Sequence, residues 1–152
     1  MHRVRQVFSA LLGLLTVGIF LVVTGSPSQA AVACSGTVAW TYEYPVSNPV
    51  AELTIYYNSS NGGTNSACMY HRGATYGEST RTSVKISRCA ETSGENTLPC
   101  TVTASSTTDN GSYSYYAGPR GVTGTANNCV WAYGEIEWGG VTYWINSGRQ
   151  GC

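Results

Sequence analysis

Two glutamates stand two residues apart in Tyr133-Gly134-Glu135-Ile136-Glu137-Trp138, and this is the spacing in the chain that most resembles a catalytic pair. On a strand, residues i and i+2 share a face, with Cα atoms ~6.5–7 Å apart. That falls in the range over which two carboxylates divide acid and base roles in glycoside hydrolysis. The competing expectation is an exposed strand face whose charges keep a hairpin soluble and blunt its edge. It is favoured, since no other feature marks a cleft around the pair. His71, near Ser66, Ser79 and Ser83, is the other candidate base, with Asp109 the only aspartate to orient it. The chain has no G-x-S-x-G nucleophile elbow, and His71 beside Arg72 reads as a surface residue. No catalytic set is assigned, and the expectation is a protein that is not an enzyme.

Ser112-Tyr113-Ser114-Tyr115-Tyr116 alternates small hydroxyls with aromatics, so Tyr113 and Tyr115 are expected on one strand face and Tyr116 on the other. Exposed tyrosines can stack on sugar rings or anchor a protein partner. With Trp144 they are the candidate binding residues, weighed against the reading that one such face is simply core. Tyr133 to Gly140 matches loosely the aromatic and glycine signature of βγ-crystallin-like domains. Asp109-Asn110-Gly111-Ser112 approximates the calcium loop of those domains but ends in Tyr113 where a second hydroxyl belongs. Calcium takes six to eight oxygens, and a tight turn explains the tetrapeptide equally well. No metal or other cofactor is expected.

These residues need a scaffold, and the N-terminus says where it is built. His2, Arg3 and Arg5 precede an apolar run from Val7 to Val23, and small residues lead to Ala30. This is the layout of a secretory signal peptide over residues 1–30, leaving a single secreted domain over 31–152. Removing Arg3 and Arg5 from eight basic residues leaves six against eight acidic ones. That balance excludes a phosphate-seeking surface, so no nucleic-acid partner is expected. Nor is a membrane expected after cleavage.

Six cysteines follow, Cys34, Cys68, Cys89, Cys100, Cys129 and Cys152, none in the signal. An even number in an exported domain implies three disulfides. Spacing leaves fifteen connectivities open, although a local Cys89–Cys100 staple is attractive.

No window carries helical apolar spacing. Thr, Tyr and Val are abundant and Gly and Asn punctuate them, which favours strands. Strands are expected near 37–44, 52–58, 67–72, 79–88, 100–104, 112–116, 128–138 and 141–146. Gly139-Gly140 is the clearest hairpin turn. Alternation puts Leu53, Ile55 and Tyr57 inside, with Val84 and Ile86, and Val141, Tyr143 and Ile145. The fold class is therefore all-β, a single antiparallel sandwich or barrel of about eight strands, stapled by disulfides because aliphatic side chains are few.

Several segments are similar to a known group of proteins. Tyr56-Tyr57-Asn58-Ser59-Ser60 with Asn65-Ser66-Ala67-Cys68, then Asp109 to Tyr113 with Tyr115-Tyr116-Ala117-Gly118-Pro119, and Cys129 to Ile136 with the terminal Gly151-Cys152, resemble the small secreted spore-associated protein A family of actinobacteria. The resemblance runs from Ala51 to Cys152, and the extra pair Cys89 and Cys100 departs from it. It implies a secreted protein associated with aerial growth and spores, and it supplies no catalytic residues. Together with the tyrosine-rich face and the hairpin, the expectation is a non-enzymatic protein of the spore or cell surface that acts by binding a surface glycan or a secreted protein. If the family joins its first cysteine to its last, the pairing here becomes Cys34–Cys152, Cys68–Cys129 and Cys89–Cys100. Rival expectations are an adaptor subunit of a larger toxin-like secreted assembly, with Thr41 to Val50 lying across a partner's sheet edge; a small hydrolase using Glu135 and Glu137; and a protease inhibitor presenting Leu98-Pro99.

Overall fold

The computed structural model describes residues 32–152, and the expected signal peptide lies outside them. Nine strands are present among the described residues: β1 (Thr37–Tyr44), β2 (Ala51–Asn58), β3 (Thr64–His71), β4 (Thr80–Cys89), β5 (Val102–Ser105), β6 (Asp109–Tyr113), β7 (Tyr116–Thr123), β8 (Val130–Trp138) and β9 (Val141–Gln150). One sheet has the order β1-β2-β3-β7. The other runs β5-β4-β8-β9, with β6 also paired to β4. Every pairing is antiparallel, and the two sheets face each other across one core.

Alternation built that core as expected for Leu53, Ile55, Val84, Ile86 and Ile145, which are buried with Met69, Val130 and Ile136. Tyr57 is only half-buried, and Val141 is exposed beside the hairpin turn. The sheets approach closely at Gly134, where a Cβ would stand 2.7 Å from Met69 Sδ. Glycine in mid-strand here is a packing requirement, because a facing methionine occupies the space. Gly139 and Gly140 have φ of 58° and 78°, the positive values that a two-residue type I′ turn demands.

The expected strand 112–116 is two strands. β6 ends at Tyr113, and β7 begins at Tyr116 and pairs with β3 in the other sheet. β7 contains Gly118-Pro119, which disguised it as a loop. Proline is tolerated there because β7 is an edge strand with an irregularity opposite Ala67 and Met69.

The disulfides are Cys34–Cys68, Cys89–Cys100 and Cys129–Cys152. The local staple stands, and the other two implied pairings, Cys34–Cys152 and Cys68–Cys129, are corrected. Cys68 alternates with the inward Ala67 and Met69 and so faces outward. There the segment before β1 lies over β3, held also by the Ser66 hydroxyl, which donates to the Ala33 carbonyl at 2.7 Å. Cys129 and Cys152 flank the paired ends of the β8–β9 hairpin, where Val130 lies opposite Gln150.

Candidate binding surfaces

β1 and β9 are edge strands of opposite sheets on the same side of the sandwich. Trp40, Tyr42 and Tyr44 pair with Ile55, Leu53 and Ala51 of β2, so they sit on the inward face of the first sheet. Yet Tyr42 and Tyr44 are 43% and 41% exposed, whereas their β2 partners are wholly buried. The difference arises because β1 and β9 are the last strands of their sheets, so the β1 aromatics are covered on one side only. A groove of about 750 Å³ opens between the two edges, lined by these three aromatics, Leu98 and Trp144. Trp40 and Tyr42 stack at 6.1 Å with only 15° between their planes, and Tyr44 packs edge-on to Tyr143 at 6.2 Å.

Among the described residues, no charged side chain lines the groove. Besides the tyrosine hydroxyls, the indole N–H groups and Ser147, its polar side chains are two amides whose oxygens are already committed. Asn146 Oδ1 accepts from Trp131 Nε1 at 2.7 Å and from the Gly148 amide at 3.0 Å, and Asn96 Oδ1 accepts from Gln150 Nε2 at 2.9 Å. Their NH₂ groups remain as donors. Aromatic walls with a few fixed polar groups are the usual composition of a recognition site.

A second aromatic cluster lies on the outer face of the first sheet. Tyr70 and Tyr116 are cross-strand neighbours 5.5 Å apart, Tyr76 and Tyr115 meet edge-on at 5.2 Å, and the Arg72 guanidinium lies 4.9 Å over the Tyr70 ring. Arg72 also pairs with Glu52 at 2.8 Å. Burial pushes the Glu52 carboxyl up, but Arg72 together with the Thr54 and Thr41 hydroxyls holds it below the usual carboxylate range. Burial and the Tyr56 hydroxyl, 2.8 Å away, push the Tyr70 phenol well above its ordinary range. Both groups therefore keep one protonation state at neutral pH: Glu52 ionised, Tyr70 protonated and neutral.

The sequence candidates separate between these places. Trp144, 59% exposed, is at the groove, while Tyr115 and Tyr116 belong to the outer cluster. Tyr113 joins neither. It packs against the core, and its hydroxyl donates to Asp109 at 2.8 Å. The expectation that Tyr113 and Tyr115 share a face fails because the chain leaves one sheet for the other between them. Trp40, Tyr42 and Tyr44 escaped the sequence reading as a site, although the signal was present as three aromatics at period two.

Asp109 is occupied internally. Its oxygens accept from Tyr113, from the Gly118 amide at 2.7 Å and from Arg120 at 2.9 Å. Burial raises its pKa, and those donors with the Arg120 charge outweigh that and hold the carboxyl low. A carboxylate neutralised by an arginine is poorly disposed to bind calcium. Cys89, Glu91 and Cys100 cluster closely enough to suggest a metal, but both sulfurs are bonded to each other.

His71 is buried, contrary to the surface reading. A carbonyl only accepts, so Nδ1–H donates to Thr75 O at 3.0 Å, and Nε2 accepts from the Thr82 hydroxyl at 2.7 Å. The imidazole thus ties β3 to β4 across the two sheets, and burial lowers its pKa. None of the serines considered beside it is its partner. Glu135 and Glu137 share the outer face of β8 as expected. Tyr133 donates to Glu135 at 3.1 Å, and Arg81 pairs with the exposed Glu137 at 3.4 Å. Leu98 lines the groove, and the neighbouring loop is bound to β9 through Asn96 N to Arg149 O and Arg149 N to Thr97 O.

Comparison with protein-family models, curated proteins and solved structures found no match to this chain.

Proposed function

We propose that this is a secreted, non-enzymatic protein that acts by binding at the outside of a cell or spore. The observation that carries the reading is the uncharged aromatic groove between β1 and β9. Exposed apolar side chains rimmed by polar groups mark interaction sites and ligand grooves. Three disulfides are consistent with an oxidising, extracellular setting. The resemblance to the spore-associated family supports the spore or cell surface as the place. Fluorescently labelled oxidised protein should be retained by spores and hyphae of a filamentous actinobacterium, and the Tyr42→Ala, Trp144→Ala double variant should be washed off. Equal retention of both forms would overturn the assignment of the groove.

A second reading, an adaptor within a larger secreted assembly, is favoured by β1 itself. The expected docking segment Thr41 to Val50 begins on this edge strand, and Val46 just beyond it is 73% exposed. Purification from culture medium would then yield a stoichiometric complex in place of a single species.

A further inference from the structure

We propose that the groove is completed by one strand of a partner protein, an extended, uncharged segment with apolar residues at alternate positions, added to the free edge of β9 beside the β1 aromatics. The inference rests on the binding reading above and specifies the partner's chemistry.

The first support is architectural. β1 and β9 meet where both sheets end, with Tyr44 packed on Tyr143, and the inward face here is covered only in part: Ala51, Leu53 and Ile55 are sealed, whereas Tyr42 and Tyr44 are exposed. A strand paired to β9 would stand ~4.8 Å beyond it, beside the groove that those two rings line.

The second is the hydrogen bonding of the β9 edge. In the two-residue hairpin, Trp138 and Val141 close the turn as a hydrogen-bonded pair, and pairs then alternate along the ladder. Thr142, Trp144 and Asn146 fall in the non-bonded class. Their amides and carbonyls point away from β8, and β9 has no further strand on that side. Further along, the edge is closed by the loop bonds at Arg149, so the open stretch is one short strand long. Natural edges are blunted by proline, lysine or bulges. Val141 to Ser147 contains neither residue, and its pairing with β8 is regular from Trp138 as far as Tyr133 and Asn146.

The third is size and charge. Weighting ~150–250 Å² per large side chain by the exposures of Tyr42, Tyr44, Leu98 and Trp144 gives roughly 400 Å² of exposed aromatic and aliphatic surface at the groove. A stable protein interface needs ~800 Å² per partner, so about half of one side is already present. The uncharged lining selects against charged residues at the inward positions of the incoming strand.

The test is selection of a random twelve-residue peptide library on the oxidised protein, followed by titration of the selected peptides. Sequences with apolar residues at i, i+2 and i+4 should emerge. Binding should fall at least tenfold when alternate peptide nitrogens are methylated, and again with Thr142→Pro, whose amide faces the open edge and leaves the hairpin intact. Amide exchange at Thr142, Trp144 and Asn146 should slow on binding. Selection of no peptide, of peptides without the alternation, or of peptides indifferent to N-methylation would overturn strand addition. So would a two-fold dimer of this chain burying the same edge, or binding of a neutral oligosaccharide there. If groove-dependent retention on cells persists after such a result, the binding reading survives and only the strand is lost.

Discussion

Substituting Gly134 tests how closely the two sheets are packed. An alanine Cβ there would stand 2.7 Å from Met69 Sδ and 3.1 Å from its Cγ, and Met69 is wholly buried, so it cannot swing into solvent. Overpacking of this kind costs ~1–3 kcal/mol, and the lower chain entropy of alanine returns ~0.5–1 kcal/mol. Gly134→Ala should therefore lose about 1–2 kcal/mol, or ~4–10 °C in Tm for a domain of this length. Met69→Ala removes the obstructing side chain and should cost ~2–5 kcal/mol by itself. In the double variant the new methyl enters the space vacated, so the combined loss should fall short of additivity by ~1–2 kcal/mol. Urea unfolding of the four oxidised proteins, followed by circular dichroism, measures all the terms. A Gly134→Ala protein as stable as wild type, or strictly additive losses, would show that the sheets are not in contact here.

The His71 imidazole has a folded-state pKa below its unfolded value, so its contribution to stability is present above about pH 6.5 and is lost as pH falls toward the folded value. The urea midpoint should drop between pH 7.5 and 5, and His71→Asn should flatten that drop; an unchanged slope would mean that the buried histidine is not the group responsible. Chain-entropy reasoning gives ~3.8, ~3.4 and ~2.8 kcal/mol for closing loops of these lengths, which ranks Cys34–Cys68, Cys129–Cys152 and Cys89–Cys100, at separations of 34, 23 and 11, in that order of loss when each pair becomes serine. Thermal melts check the order, and a reversed ranking would refute it. Glu135→Gln with Glu137→Gln should leave retention on cells within twofold of wild type, because both carboxylates lie on the outer face of β8 and outside the groove lining; a tenfold loss would relocate the site.

Where side chains alternate between core and water, sequence and structure agree closely, as in β8, expected at 128–138 and found at Val130–Trp138. The hairpin at Gly139-Gly140 was equally plain. It also held the disulfide answer, since folding the chain about that turn brings Cys129 and Cys152 together. β7 was hidden because an edge strand can carry Gly-Pro, and local propensity does not reveal which strands are edges. Burial of His71 was hidden for a similar reason, because Thr82, whose hydroxyl satisfies it, lies in the opposite sheet. The groove needed both kinds of information: period two reveals that Trp40, Tyr42 and Tyr44 share a face, and only the sheet order reveals that the face is left partly uncovered.

The three bonds join first cysteine to second, third to fourth and fifth to sixth. No bridge encloses the start of another, so each thiol's correct mate is the next one to emerge when the chain is delivered N-terminus first. An oxidant that simply joins thiols in order of appearance would make the native set. The protein therefore places little demand on the reshuffling machinery that interleaved bridges require.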